Sequence, residues 1–554
     1  MKRLMLLILT LLLGLAVAVP ASANQPTDEL TALAAFAPAD TVAFGVARID
    51  NGYIETLEGV INSRLEAVAA TLPEGTVPPA ITADDIAPVA EFRAFAGDYI
   101  AFFVPSAQAV VQGDDNPFVG LTTVEDFDAA IAYFDDLYEF DMEFGDIEKV
   151  EQEDGSVLYE ATVSFLDSTL VTTDLAITGS IASVVMPGDD MLSLADTETF
   201  QNAVAALPEA EYNIFGYLNN DPIVAVLEEF APSALEGTGI TVDFDLLAES
   251  LGQFAVGFTL LEGRVLTVDV VQVAPALIDA TPLDLSVLDS VPADTPFVIQ
   301  GGGIGGTLAG MTDALYLLND LLLEQGLLPI PDAGPLDFLG PDDIATFITL
   351  SLEGTYNFDL AETLAWMDGD FLLAMRPRLN INDLFDSGLD FAFLLATDNP
   401  EATAALVEEV AKNTIAAFSA ATFEDGMLRT PLGALISQPE LGVSAMTSTD
   451  SFLAMGSAAL VDDMLAPEAA LSGTDNYAFE SSLFVDDPYL LFYIDFAPIA
   501  QLLVDGVEAI NMGLDGNSDA LNTLAALLDS SAISAGRADG IATTRLTITL
   551  GELE

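Results

Sequence analysis

PADTPFVIQGGGIGGTLAGM, residues 292–311, can be read in two ways, and the choice decides the fold. Taken alone, an apolar run from Pro296 to Gln300 enters a glycine cluster containing G-x-G-x-x-G at Gly301, Gly303 and Gly306. The helix-like ALYLLNDLLLEQ follows. Strand, glycine turn and helix in that order open a dinucleotide-binding unit, where backbone N–H groups at a helix N-terminus cradle phosphate. Yet Pro292-Ala293-Asp294-Thr295 also occurs as Pro38-Ala39-Asp40-Thr41, ahead of the apolar run VAFGVARI. In that register Gly301-Gly302-Gly303 stand against Ala47-Arg48-Ile49, so the same strand end is written without a phosphate-binding pattern. Downstream, LLPIPDAGPLDFLGPDD replaces the second parallel strand and ribose-binding acid that a dinucleotide fold requires. The glycines are therefore read as a close-packed strand end.

Further landmarks return in the same order. PVAEFRAFAGDYIAFFVP (88–105) matches LAETLAWMDGDFLLAMRP (360–377), with Gly97-Asp98 against Gly369-Asp370. TTVEDFDAAIAYFDDL matches LATDNPEATAALVEEV, Asp189-Asp190-Met191-Leu192 matches Asp462-Asp463-Met464-Leu465, and EYNIFGYLN matches DPYLLFYID. Each series ends on a pair of strands, FAVGFTLLEGRVLTVDVVQV and SAGRADGIATTRLTITL. Repetition at this length implies homologous modules. Helical spacing at Ile54, Leu57, Ile61, Leu65 and Val68 gives one apolar face. Thr122 with Glu125 reads as a capping box opening a helix from Asp126 to Tyr138, and Asn399-Pro400 as the start of its counterpart. Strands such as RVLTVDVVQV alternate apolar and polar residues, and Glu262-Gly263 reads as a hairpin turn. The expectation is an α+β fold of two homologous modules, 24–281 and 282–554, each with a largely antiparallel sheet packed against helices.

The recurring P-A-D-T before an apolar strand, G-D-F/Y inside one, and D-N-P-E-A-T-A-A-L before a helix resemble the bacterial domain-of-unknown-function 3352 family. The resemblance covers most of the chain after residue 23. It implies an exported or envelope-associated bacterial protein and brings no active-site residues with it.

Residues 1–23 carry a secretory signal pattern of their own: basic Met1-Lys2-Arg3, an apolar stretch from Leu4 to Val19, and the small residues Ala21-Ser22-Ala23. The expectation is cleavage before Asn24 and a periplasmic or extracellular location. An uncleaved anchor is the alternative, and no later apolar run is long enough to span a bilayer. Thirteen Lys+Arg against 88 Asp+Glu give a formal charge of −75. Since 51% of residues are hydrophobic, with a mean hydropathy of +0.47, this is a folded protein with an acidic surface rather than a disordered polyanion. Such a surface repels phosphate backbones and anionic headgroups, which argues against nucleic-acid and membrane-surface partners and for cations.

The chain has no histidine and no cysteine. Disulfides, Ser-His-Asp and Cys-His nucleophiles, and His- or Cys-ligated metals are thereby excluded. Lys149 and Lys412 are the lysines beyond the signal segment. Neither has a serine three residues earlier, and Lys412 is expected to pair with Glu408, while Lys149 is expected to be solvated. Carboxylate-based hydrolysis stays open as a third reading, without a marked pair of acids and with a single tryptophan, Trp366. Oxygen ligands suit calcium, and Asp515, Asn517 and Asp519 offer positions one, three and five of a loop. Ala520 and Ala526 stand where an EF-hand needs Gly and Glu, so diffuse cation binding is preferred to a defined site, and no resident cofactor is expected. Arg376-Pro377-Arg378 is the one basic cluster. It is a candidate for a ligand carboxylate, weighed against pairing with local acids. The leading reading is an exported, non-enzymatic binding or scaffold protein; the alternative is a carrier of an apolar, lipid-like ligand.

Overall fold

The computed structural model describes residues 32–69, 80–82, 90–107, 119–140, 145–151, 157–163, 166–172, 176–180, 192–208, 212–234, 244–261, 264–274, 280–302, 369–378, 388–431, 443–499, 501–502 and 527–551. The chain divides into two units. The first holds Met1–Asp279, Ala526–Leu528 and Arg537–Glu554; the second holds Ala280–Ala525 and Asp529–Gly536.

The first unit begins with β1 (Ala43–Arg48), α1 (Asn51–Ala69), β2 (Ala96–Val104), β3 (Val119–Val124) and α2 (Phe127–Phe140). A meander follows of β4 (Gly145–Glu151), β5 (Val157–Val163), β6 (Leu166–Thr172) and β7 (Ala176–Ser180). Then come α3 (Glu198–Ala205), β8 (Ile214–Asn219), α4 (Asp221–Ala234), α5 (Phe244–Leu251), β9 (Gln253–Leu261) and β10 (Val265–Val273). In the sheet, β7 pairs with β3, β3 with β2, β2 with β1, β1 with β8, β8 with β9 and β9 with β10.

The second unit has β11 (Phe297–Gly301), β12 (Phe371–Arg378), β13 (Gly388–Ala396) and α6 (Pro400–Ala417). A second meander runs through β14 (Thr422–Glu424), β15 (Met427–Pro431), β16 (Val443–Ser448) and β17 (Phe452–Ser457). Next are α7 (Ala458–Leu465), α8 (Asp475–Ser481), β18 (Leu490–Asp495) and β19 (Leu528–Ala538). Here β17 pairs with β13, β13 with β12, β12 with β11, β11 with β18 and β18 with β19. Each of these pairings is antiparallel, so the fold is mixed α and β on antiparallel sheet, as the alternating strands foretell.

One strand departs from the sequence expectation. β20 (Ile541–Leu550), read from sequence as the end of a module spanning 282–554, pairs along its length with β10 of the first unit. Alternation shows that a strand has one covered face, but not which edge it joins. The register supplies the reason, because Arg545 falls opposite Asp269.

Each core lies on one sheet face. In the first unit Phe44 and Val46, Ala101 and Phe103, Phe215 and Tyr217 alternate inward to meet Leu33, Leu194, Phe200 and Ala203. In the second, Val298, Leu372 and Ala374, Leu491 and Tyr493 meet Leu288, Leu471 and Tyr477. Burying a side chain of this size is worth about 1.5–3 kcal/mol, which for chains without disulfides is the main source of stability. Hairpin geometry is set locally at Asp425-Gly426 and Asp539-Gly540. All four have positive φ (53°, 78°, 54°, 75°), the pair of left-handed residues a two-residue turn demands.

Local expectations fare unevenly. Asn399 caps α6, its Oδ1 accepting from the Ala402 N–H with Pro400 in the first turn. Thr122, expected to cap α2, instead lies in β3, and its hydroxyl donates to the Tyr99 carbonyl at 2.7 Å. The cap is Asp126, whose Oδ1 accepts from the Ala129 N–H at 2.9 Å. Lys412 pairs with Glu409 one turn back rather than with Glu408, and Lys149 is held by both oxygens of Asp135 at 2.8 Å.

Candidate functional site

Gly301 is a packing glycine. It lies in β11 directly opposite Phe371 of β12, and a Cβ added there would stand 2.6 Å from the Phe371 ring. The ring therefore occupies the space a side chain would need, and it stacks on Phe393 at 6.1 Å between centroids. Gly302 continues the ladder, its N–H donating to the Tyr489 carbonyl. These two N–H groups are thus part of a strand end, not aimed at a ligand. Gly303, Gly305 and Gly306 lie outside the described residues.

Arg376 and Arg378 leave β12 two residues apart, on one face. Arg376 is held from two sides, by Asp294 at 3.1 Å and by Asp463 of α7 at 2.7 Å. Burial disfavours its charge, but hydrogen bonds to Asp463 and Asp294 outweigh that and leave its pKa raised. The adjacent Asp462 holds Arg429 of β15 at 2.6 Å. The Asp-Asp pair that marks this helix in the sequence thus ties α7 to two strands. Arg378 lies 3.9 Å from Asp390, and its buried Nε has no hydrogen-bond partner among the described residues.

A pocket of about 210 Å³ opens beside Arg376, lined by Asp294, Pro377, Pro498, Gln501 and Leu502. Small-molecule sites usually take roughly 300–1,000 Å³, so this one is undersized. The guanidinium that would receive a ligand carboxylate is already committed to protein carboxylates. The pairing with local acids weighed in the sequence is what the structure contains. Asp515, Asn517 and Asp519 lie outside the described residues. Among the described residues no group of three acidic side chains converges to hold a metal ion.

At the glycine end of β11, Gln300 is fully buried and donates to the Asp284 carbonyl at 2.8 Å, while Asp370 accepts from the Asp284 N–H at 2.6 Å. Burial pushes the Asp370 carboxyl up. Asp284 in turn caps the short helical turn that follows, accepting from Ser286. Both acids therefore fix backbone.

Asp269 of β10 is a fully enclosed acid. Arg545 of β20 grips it with two hydrogen bonds, 2.6 Å to Oδ1 and 2.9 Å to Oδ2. Tyr212 donates to Oδ2 at 2.8 Å, and its ring reaches there by lying across Gly257, where a Cβ would meet it at 2.1 Å. Sequence reading passed over this triad, although Gly257, Asp269 and Arg545 are each unusual inside an apolar strand.

An apolar strip is exposed on β13 of the second unit. On the sheet face away from the second unit's main core, Leu395 of β13 is buried with Val407 of α6, and Phe393 is half-buried. Further along β13, Phe391 is 46% and Leu389 52% exposed. The strip runs out from under the helix into solvent. No helix among the described residues is long and apolar enough to cross a membrane. Protein-family models, curated proteins and solved structures were all compared with this chain, and none matches.

Proposed function

We propose that this chain is an exported, non-enzymatic binding or scaffold protein, and that β13 of the second unit carries its docking strip. The observation that carries the reading is the contrast between polar and apolar surfaces. Arg376, Arg429, Arg545 and Lys149 are each committed to protein carboxylates. Leu389 and Phe391 are each about half exposed, at 52% and 46%. Exposed aromatic and aliphatic side chains in a row are a recognition surface more often than an accident. With a formal charge of −75 on the chain, the complementary occupant is a polypeptide with an apolar patch rimmed by lysine and arginine. Cations would bind the acidic surface diffusely.

We also read the units as two copies of one ancestral module, in keeping with the resemblance to the domain-of-unknown-function 3352 family. Support comes from matching detail. Pro38 bridges Ser193 as Pro292 bridges Ala470, and the Thr41 N–H donates to Pro38 as Thr295 does to Pro292. Thr197 caps α3 as Thr474 caps α8. The strand orders 7-3-2-1-8-9 and 17-13-12-11-18-19 run in step.

The carrier reading draws on the same apolar strip and differs in what fills it. Native mass spectrometry of gently purified protein separates the two. A stoichiometric polypeptide that Phe391→Asp releases supports docking, and a lipid-sized mass retained by the chain supports the carrier.

A further inference from the structure

Asn219 ends β8, and Asp495 ends β18. Asn219 Oδ1 accepts from the N–H two residues on, at Asp221, at 3.1 Å; Asp495 Oδ1 accepts from Ala497 at 3.0 Å. Their own N–H groups donate to Val42 and to Pro296. A neutral amide therefore does this structural work in the first unit, and the second unit places an ionisable group, 4% exposed, in the same role. The surroundings change with it. In the first unit Phe200 packs edge-on against Tyr217 at 5.0 Å, with fully buried Ala203 on the next turn of α3. In the second, Tyr477 packs edge-on against Tyr493 at 5.4 Å, and fully buried Glu480 stands on the next turn of α8. Ser530, opposite Asp495 in the β18–β19 register, donates to Glu480 at 2.7 Å, and Asn476 donates to Asp495 at 3.3 Å.

We infer that this corner of the second unit is an acid-operated lock: protonated Asp495 closes it, and loss of that proton as pH rises loosens the helical turn that Asp495 starts. The turn carries Pro498, Gln501 and Leu502, half the lining of the pocket beside Arg376. The groups facing the corner are acids and phenols. α8 contributes Tyr477 and Glu480, β18 contributes Tyr493, and β19 contributes Asp529. Asp289 acts on Tyr477 from the turn before β11. The one guanidinium at the adjoining pocket, Arg376, is bound to Asp294 and Asp463. Tyr493 Oη is buried without a hydrogen-bond partner among the described residues, so it offers Asp495 no compensation. Burial pushes the Asp495 carboxyl above its ordinary value, and the Asp529 charge adds to this. Hydrogen bonds from Ala497 and Asn476 only partly offset them. A carboxyl raised on folding stabilises fully below its unfolded value of about 3.9, and that stabilisation is lost as pH rises through the folded value.

The test is the melting temperature of the full chain from pH 4 to pH 8, for the wild type, Asp495→Asn and Asn219→Asp. Overall acidity acts on all three alike and cancels in the differences. Asp495→Asn should match the wild type at pH 4 and melt higher than it at pH 8. Asn219→Asp should lose stability relative to the wild type as pH rises. Hydrogen exchange at residues 497–499, corrected for its intrinsic pH dependence, should quicken towards pH 8 in the wild type and not in Asp495→Asn. Parallel melting curves for wild type and Asp495→Asn, or a variant less stable than wild type at pH 8, would overturn the inference.

Discussion

Replacing Arg545 by methionine removes the cation that pairs with a fully enclosed carboxylate. Asp269 is fully buried in β10 and would keep only the Tyr212 hydroxyl. Breaking a buried, hydrogen-bonded pair from one side costs about 3–5 kcal/mol, since the remaining charge stays desolvated. At about 2–4 °C per kcal/mol for a unit of this size, we expect Arg545→Met to lower the melting temperature of the first unit by about 6–20 °C at pH 7. Differential scanning calorimetry gives the transition, and hydrogen exchange along β9 and β10 assigns it to the first unit. The double variant Asp269→Leu/Arg545→Met removes both charges and should recover most of the loss. An Arg545→Met transition unchanged at pH 7, or a double variant as unstable as the single one, would refute the reasoning.

Other consequences are equally direct. Gly301→Val forces a branched side chain into the Phe371 ring and should cost about 1–3 kcal/mol by denaturant titration, with Phe371→Ala relieving part of it. Since Gly301 and Gly302 are ladder residues, titration calorimetry with NAD or ATP should give no heat, and micromolar binding would contradict that assignment. Asp463→Asn loosens an ion pair half open to water and should cost no more than about 1 kcal/mol in the second unit. Sodium chloride and calcium should each raise the melting temperature by screening the −75 charge, and a flat response to both would show that self-repulsion is negligible here.

How much of this could be read from sequence depended on the range of the interaction. Strand alternation is a local signal, and it carried the antiparallel character. The Asn399 cap was legible because its acceptor and donor are three residues apart. Thr122 misled because a threonine at a strand end satisfies its hydroxyl across the sheet as readily as at a helix start, and the competing partner, Tyr99, is 23 residues away. The destination of β20 was hidden for a similar reason, since 276 residues separate Arg545 from Asp269 and neither marks its partner. Arg376 and Arg378 were visible as the one basic cluster. Their saturation depended on Asp294, Asp390 and Asp463, which one sequence cannot bring together. The exposed apolar strip on β13 was invisible, since Leu389 and Phe391 read like every other inward-facing strand residue until their exposure is seen.

That strip bears the functional account, and photo-crosslinking addresses it without requiring the partner's identity. A benzophenone amino acid would replace Phe391 in the full chain expressed in its own cells. The same substitution at Leu246 of α5, 56% exposed in the first unit, serves as the control. The account predicts a polypeptide adduct of defined mass at position 391 and none at 246. A lipid adduct at 391, adducts of equal yield at both positions, or none at either would contradict it.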